Sequence, residues 1–336
     1  MGDAPAVASC CAVNMLEDVF YQRRASNAFD NLVVDVEDLY RRFPLELRQA
    51  WPGGGPPPLT RAQRLTASPW LPLRGRTAAS RLLTHLRLDQ RWFQRFRGYW
   101  TDVLAGRPLL SVEDFHFLRG VYRIRHQDNQ VPDTEDAGTH EIAWQRPELL
   151  YQVFQQAYGE ALGPKHVVCA ALRRFHRGPI GAMLEFGSAS APVTTTYLDY
   201  FGPAPRTRFF ISDIRTLAFH YGAYKFRRTP NVTPISLEPG DGFALRAPQA
   251  LDVICCLTVF EHLTRPLALA EEMHAALRPG GLLVFDYMQG QGEGLDTFQG
   301  VRDRQAVLDF IRARFDVAVG SVTPDRHVDL TVAVKR

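Results

Sequence analysis

Long apolar runs are missing from this sequence, and their absence argues against a helical membrane protein. No stretch approaches the ~18 consecutive apolar residues that a membrane-spanning helix needs, although 46% of the 336 residues are hydrophobic. Residues 1–20 also lack the basic start and the continuous apolar segment of a signal peptide. We therefore expect a soluble, cytoplasmic protein with no membrane contact.

Cysteine is scarce and neither sign of charge dominates. The five cysteines, two adjacent pairs and Cys169, have neither disulfide nor zinc-ligand spacing. His126, Asp128, His140 and Glu141 also match no ligand motif, so we expect no metal. A formal net charge of +3 is too small to indicate nucleic-acid binding by itself.

The clearest pattern that is present lies in residues 251–287. Residues 251–257 form a short apolar run, as expected of a parallel strand covered on both faces. Pro266 opens a stretch with helical apolar periodicity, and Pro-Gly-Gly at 279–281 is expected to end that helix. Residues 281–287 then read as the next strand. A strand, a helix and a strand in this order predict a right-handed crossover in a doubly wound sheet.

This block resembles the second half of the class I S-adenosylmethionine (SAM) dependent methyltransferases. The residues that carry the resemblance are a strand-opening acid, a Glu-His pair and a Leu-x-Pro-Gly-Gly turn, namely Asp252, Glu261, His262, Leu277, Pro279, Gly280 and Gly281. The resemblance implies an α/β fold with a doubly wound, Rossmann-like, mostly parallel sheet whose last strand is antiparallel. The C-terminal segment fits this expectation, with a helix predicted over 303–315 and strands over 315–319 and 330–334.

The family's cofactor loop should lie upstream, after a strand that ends in an acid. Residues 180–185 are apolar up to Glu185, and Gly187 keeps the first of three alternating glycines. Ala189 and Ala191 stand at the other two positions. Small residues let the backbone approach the cofactor, but alanine disfavours positive φ. We therefore expect this loop to run differently from the family norm.

Further cofactor contacts follow from the same resemblance. Asp213 ends the predicted strand 208–214, and its two acceptor oxygens suit the ribose diol. The resemblance assigns the packing face of adenine to Ile214. It also places four more residues at the cofactor: Asp241, Gly242, Cys256 and Leu257. The interval from Gly187 to Asp213 exceeds the ~20 residues of the analogous dinucleotide motif, and we expect 197–205 to supply the excess as an extended loop.

Residues just after the fourth and fifth strands should face the acceptor, because ligands of doubly wound sheets bind at the carboxyl ends of the strands. Here these residues are Thr258, Glu261, His262, Tyr287 and Met288. We interpret His262, Glu261 and Tyr287 as candidate catalytic residues. His262 is the candidate base, because an imidazole titrates near neutrality. The alternative is a structural role for the Glu-His pair. Residues 289–294, rich in glycine, are a candidate rim of the pocket or a simple loop.

Residues 1–156 are predicted to form a mainly helical accessory domain, and residues 157–336 the SAM-binding domain. Helices are expected over 14–24, 26–43, 147–162 and 165–177, and Ser111 with Asp114 resembles a capping box. In the resembling enzymes such an addition caps the acceptor pocket or forms a dimer, so a homodimer is one of its candidate roles.

An arginine-rich segment with interleaved aromatics lies between residues 61 and 100. Its nine arginines are Arg61, Arg64, Arg74, Arg76, Arg81, Arg87, Arg91, Arg95 and Arg97. Such a segment could bind RNA or an acidic small molecule. The alternative, which we favour, is a single amphipathic helix over 78–104 with aromatics in the core and arginines solvated or paired.

Three functions remain open from the sequence. The first is SAM-dependent methyl transfer to a small molecule, anionic or aromatic in view of the arginines and aromatics. The second is an RNA or protein methyltransferase that uses the arginine-rich segment. The third is a SAM-binding scaffold without catalysis, which the two missing glycines leave open.

Overall fold

The computed structural model describes residues 72–86, 88, 90–104, 109, 111–128, 149–162, 165–202, 204–237, 245, 250–288, 296–323 and 327–336. The helices predicted over 14–24 and 26–43 lie outside these residues. Within them, no helix combines the length and the apolar character that crossing a bilayer requires.

The centre of the molecule is a seven-stranded sheet in the order β3-β2-β1-β4-β5-β7-β6. Its strands are β1 Ala182–Phe186, β2 Arg208–Ile214, β3 Val232–Leu237, β4 Leu251–Cys256, β5 Leu277–Tyr287, β6 Phe315–Val319 and β7 Val328–Lys335. The first five are parallel, and β7 is antiparallel to both of its neighbours. Every residue of β1 and β4 is buried, as the apolar runs require. The predicted doubly wound sheet with an antiparallel last strand is confirmed.

Helices cover both faces of this sheet. They are α5 His166–Phe175, α6 Pro192–Tyr200, α7 Leu217–Lys225, α8 Pro266–Ala276, α9 Phe298–Arg302 and α10 Arg304–Arg314. One apolar cluster joins one face of the sheet to α8 and α10, and another joins the opposite face to α5, α6 and α7. The sheet therefore sits between two helical layers, with its carboxyl edge left for the loops that could form a site.

Two local predictions near the sheet are wrong. Residues 197–200 belong to α6 and not to an extended loop. The helix after β4 ends at Ala276, before Pro279, and β5 begins at Leu277 and not at Gly281. Leu277 is buried and already pairs with Leu251, so the sheet captures the chain before the Pro-Gly-Gly turn is reached. The pairing of β4 with β5 shifts its register between Leu251 and Val253, and this irregularity accommodates the turn.

Four helices precede the sheet: α1 Leu73–His85, α2 Arg91–Asp102, α3 Val112–Asp128 and α4 Leu150–Leu162. The capping box at the start of α3 is confirmed, because the Ser111 amide donates to the Asp114 carboxylate at 3.0 Å and the Asp114 amide donates back to Ser111 Oγ at 3.4 Å. Because α4 runs through residue 156, the chosen domain boundary stays a prediction.

The single helix expected over 78–104 is in fact two helices, α1 and α2. The chain leaves α1 at Leu86 and Leu88, which are exposed, and re-enters a helix at Arg91. The interruption has a packing reason: α1 lies against α4 and α5, whereas α2 turns its aromatic face towards α3, α4 and α7. The expectation that the aromatic side chains of this segment lie in the core is confirmed for α2, in which the buried residues are Trp92, Phe93, Phe96, Tyr99 and Trp100.

Candidate functional site

The loop after β1 lies at the carboxyl edge of the sheet and is held by its own backbone. The Ser188 amide donates to the Ser212 carbonyl of β2 at 3.0 Å, and the Ala191 amide donates to the Ser188 carbonyl at 2.6 Å. Gly187 has φ +61° and lies against Val259, which follows β4, so that a Cβ at Gly187 would overlap the valine side chain. The loop is thus packed between the ends of β1, β2 and β4.

All three glycine positions of the family pattern have positive φ in this chain. The angles are +61° at Gly187, +42° at Ala189 and +55° at Ala191. The expectation that alanine would avoid these dihedrals is therefore wrong. An L-residue in the left-handed region costs roughly 1–2 kcal/mol, so the surrounding contacts must hold the two alanines there. The glycine-type backbone course is kept despite the substitutions.

Replacing Ala189 with glycine should therefore stabilise the protein. Relief of the left-handed strain exceeds the added chain entropy of glycine, and we expect a gain of about 1 kcal/mol in the free energy of unfolding. Urea denaturation measures it. The matched control is Ala182→Gly in β1, which should destabilise because that alanine has no strain to relieve. Equal losses in both variants would contradict a strained Ala189.

Glu185 supports this loop from beneath. Its carboxylate accepts the Val193 amide at 2.9 Å, the Thr194 amide at 2.8 Å and the Thr194 hydroxyl at 2.8 Å. It therefore satisfies the first turn of α6, which begins with Pro192. Burial raises the pKa of Glu185, and these hydrogen bonds partly oppose that shift. These contacts fix the helix that follows the loop, and direct contact of Glu185 with a cofactor stays a prediction.

Asp213 lies at the end of β2 beside the loop. Its carboxylate accepts the Ala189 amide at 2.6 Å and the Ile214 amide at 2.8 Å. Burial raises the pKa of Asp213 to about 6, although both amides act in the opposite direction. The side chain is partly open to solvent, whereas Ile214 next to it is buried. Loop, acid and apolar neighbour thus lie together, and their contact with a cofactor stays a prediction.

Gly222 in α7 is a supporting residue that the sequence analysis missed. A Cβ at this position would lie 2.7 Å from the Ala189 carbonyl oxygen and 3.2 Å from Ser190 Cα. Only glycine lets α7 approach the loop backbone this closely. The one available signal was a glycine in the interior of a predicted helix, which is unfavourable unless packing requires it.

The four remaining predicted cofactor residues are not all described by the structure. Asp241 and Gly242 lie outside the described residues, as does the glycine-rich segment 289–294. Cys256 is fully buried as the last residue of β4, and Leu257 after it is half-buried. Both lie at the carboxyl edge, close in sequence to Val259, which packs against Gly187 of the loop after β1.

The part of the same edge that follows β4 and β5 is rich in carboxylates. Glu261 follows β4 and is 2% exposed, and among the described residues neither of its carboxylate oxygens has a hydrogen-bond partner. Burial raises the pKa of Glu261 to about 8, and the nearby Asp286 and Asp296 act in the same direction, whereas the backbone amides of Glu261 and Val259 partly oppose the shift. The main chain of Glu261 is held firmly, because its carbonyl accepts the Thr297 amide at 2.9 Å.

The two aspartates near Glu261 are only partly buried. Asp286, near the end of β5, accepts the backbone amide of Thr258, and burial raises its pKa. Thr258 has φ +55°, an outlier for a β-branched residue. Asp296 lies 3.4 Å from Nδ1 of His262. The structure thus brings His262 and Glu261 together with two acids that the sequence analysis did not single out.

Tyr287 is placed differently from the other candidate catalytic residues. Its ring is buried and stacks on Phe260 with centroids 5.3 Å apart, and its hydroxyl donates to the Gly300 carbonyl. Burial, followed by the charge of Glu261, raises its pKa well above the usual range. These contacts give Tyr287 a packing role, and its part in any chemistry stays a prediction.

Two of the three arginines of α2, Arg91 and Arg95, are paired within the molecule. Arg95 contacts Glu160 at 2.8 Å and Asp199 at 2.9 Å, and Arg91 contacts Asp199 at 3.2 Å. Glu160 is also paired with Lys225 at 2.5 Å. These charges link α2, α4, α6 and α7, so Arg91 and Arg95 serve internal contacts. Arg61, Arg64 and Arg87 lie outside the described residues.

Comparison with known proteins agrees with this geometry. Residues 184–283 match the profile of a family described as "Methyltransferase domain", a span that runs from β1 into β5 and includes the loop and Glu261. No curated protein matches this chain.

Several solved structures share similarity with part of the chain. N-methyltransferase NodS from Bradyrhizobium japonicum WM9, in complex with S-adenosyl-L-homocysteine, is 17% identical with a TM-score of 0.37, over 52% of this chain and 88% of NodS. A SAM-dependent methyltransferase from Aquifex aeolicus is 15% identical with a TM-score of 0.39, over 59% and 98%. Fibrillarin from Aeropyrum pernix, with natively bound SAM, is 17% identical with a TM-score of 0.35, over 50% and 74%.

Proposed function

We propose that this chain, whose residues 184–283 match the profile of a methyltransferase domain, is a class I SAM-dependent methyltransferase and transfers the methyl group of SAM to a small molecule. The observation that carries the proposal is the loop at 187–191, where three successive family positions keep positive φ and Asp213 lies against the loop backbone. A chain that had lost cofactor binding would have no need to retain two strained alanines. The loop conformation therefore favours a chain that binds SAM.

The residues present fit this cofactor. Asp213 would accept hydrogen bonds from the ribose hydroxyls, and Ile214 would pack against adenine. Gly187, Ala189 and Ala191 carry little or no side chain, so the backbone can approach a ligand closely. Bound SAM supplies an electrophilic methyl group on a sulfonium. The protein then has to align a nucleophile, exclude water and, where the acceptor requires it, accept a proton.

The charges on the acceptor side support a small molecule over RNA. Glu261, Asp286 and Asp296 would repel a phosphate backbone, which nucleic-acid proteins normally neutralise with lysine and arginine. Arg91 and Arg95 are held by acids of the same chain and are not arranged for an external partner. These carboxylates also disfavour an anionic acceptor, so the proposal departs from that part of the expectation from sequence.

Transfer of isotope-labelled methyl groups from SAM tests this function. With pure protein and a crude cell extract, we expect label in the small-molecule ultrafiltrate and not in RNA or protein. The Asp213→Ala variant should reduce that label, while Asp316→Ala, which changes an exposed residue of β6, should not. Label recovered in RNA or protein would support the alternative enzymes. Folded wild-type protein that binds SAM but transfers no label would support a scaffold, and one that binds no SAM would indicate a requirement for an activating partner.

A further inference from the structure

We infer that the acceptor reacts through a basic nitrogen, whose cationic form is held among Glu261, Asp286 and Asp296 and whose proton passes to Glu261. This inference rests on the proposed function and names the substrate class of the same site. Its first basis is that Glu261 is 2% exposed and that neither carboxylate oxygen has a hydrogen-bond partner among the described residues. A buried carboxyl group without a partner is costly unless something else satisfies it.

The charges around Glu261 indicate what could satisfy it. Asp286 and Asp296 are near enough to act on it electrostatically, and both retain some exposure to solvent. Several other ionisable groups face this region. His262 lies beside Glu261, Asp286 and Tyr287 lie on β5, and Asp296 lies before α9. Arg304 on α10 lies over the Tyr287 ring at 5.4 Å, and Lys165 lies before α5. The cations among them act on Tyr287 and on Asp286. The charged side chains that act on Glu261 are Asp286 and Asp296, and its other polar neighbours are the backbone amides of Glu261 and Val259. A cationic ligand is therefore the complement of this cluster.

The backbone around Glu261 holds it in place for such a ligand. Thr297 donates its amide to the Glu261 carbonyl, and its hydroxyl accepts the Gly300 amide at 2.8 Å at the start of α9. A Cβ at Gly300 would overlap the Glu261 main chain. The main chain at Glu261 is therefore held between the end of β4 and the start of α9. Asp296, one residue before Thr297, is positioned by the same contacts.

The reaction balances with these groups alone. Because the pKa of Glu261 is about 8, its carboxyl group first releases a proton to solvent as the cationic amine binds. The bound alkylammonium then gives one proton to the Glu261 carboxylate, and the freed nitrogen lone pair forms the new bond to the methyl carbon. The carbon–sulfur bond breaks and its electron pair stays on sulfur. The products are a methylated ammonium, S-adenosylhomocysteine and a protonated Glu261, which returns its proton to solvent. The raised pKa of Glu261 favours this step, because a proton acceptor works best with a pKa near the working pH.

The first test sorts the product by charge. Wild-type protein is incubated with methyl-labelled SAM and the ultrafiltrate of a cell extract, and the labelled products are separated on cation and anion exchangers at neutral pH. We expect the label on the cation exchanger and stable to alkali, as methylated amines are and methyl esters are not. Label confined to neutral or anionic products would overturn the nitrogen acceptor and leave the proposed function intact. No label in any small molecule would instead count against the proposed function.

The second test replaces the proton acceptor. Glu261→Gln keeps the size of the side chain, and we expect transfer into the cationic products to fall roughly 10²-fold or more at neutral pH, with SAM affinity unchanged. The wild-type rate should rise as pH increases through about 8, where Glu261 ionises, and this rise should be absent in Glu261→Gln. Glu271→Gln, on the exposed side of α8, is the matched control and should behave as wild type.

A second variant, Asp296→Asn, tests the proposal even if Glu261→Gln fails to fold. Asp296→Asn removes one of the neighbouring charges and leaves Glu261 in place, so it should raise KM for the amine more than it lowers kcat. Wild-type rates in Glu261→Gln at every pH would overturn the role of Glu261. An unchanged KM in Asp296→Asn would overturn the electrostatic capture of a cation.

Discussion

Asp213→Ala is expected to weaken SAM binding by about 1.5–3 kcal/mol, roughly tenfold to a hundredfold. The carboxylate already accepts the amides of Ala189 and Ile214, and it would add the ribose hydroxyls as further donors. Its loss removes the ribose contact and frees the loop amide. Calorimetric titration with SAM measures the change, and Asp316→Ala is the exposed control. Unchanged affinity in a folded Asp213→Ala protein would show that the ribose lies elsewhere.

The same residue predicts a pH dependence of SAM binding. The free protein holds the pKa of Asp213 at about 6, and only the ionised form accepts two hydroxyl donors. Affinity should therefore be constant above pH 6 and should fall as pH decreases through 6, by up to roughly tenfold per pH unit. The Asp213→Ala variant should lack this step. A step of equal size in the variant would assign it to another group.

Asp252→Ala is expected to cost about 3 kcal/mol of folding stability. Asp252 is buried at the amino edge of β4, where its carboxylate accepts the amides of Gly181 and Ala182 at 2.7 and 2.8 Å and contacts Arg278 at 2.9 Å. Removing it leaves buried donors without an acceptor, and each costs about 1–3 kcal/mol. Urea denaturation measures the loss.

The control for this experiment is Asp309→Ala. Its pair with Arg312 is half-exposed, so its loss should stay within about 1 kcal/mol. A change of similar size in both variants would mean that Asp252 does not fasten β1 to β4. The SAM affinity of Asp252→Ala, measured well below its unfolding midpoint, should equal that of wild type, because Asp252 is at the opposite edge from Asp213.

Features that depend on local pattern could be predicted from the sequence. The apolar runs identified β1, β2 and β4, and the helical periodicity of residues 303–315 located α10 to within one residue at each end. Asp213 was found because a carboxylate at the end of a strand has a recognisable position. Each of these signals is contained in a few neighbouring residues.

Features that depend on distant contacts could not be predicted. The break between α1 and α2 follows from which neighbours each helix packs against, and the early start of β5 follows from the pairing of Leu277 with Leu251. Ala189 adopts positive φ because Asp213 and Gly222 hold it from two other elements. The isolation of Glu261 becomes visible only when its surroundings are known. In each case tertiary packing overrides the local preference of the residue.

Helix α7 has a consequence for any attempt to exchange the two halves of this protein. Gly222 lies against the loop at 189–190, while the adjacent Tyr221 is fully buried among the aromatic rings of α2. One helical turn therefore contacts the loop at 187–191 on one side and the helices that precede the sheet on the other. A chimera that receives foreign N-terminal helices must match the surface of Tyr221 and Tyr224, or α7 will shift and carry the loop with it. The N-terminal helices are thus not freely exchangeable, because they also set the position of the loop at 187–191.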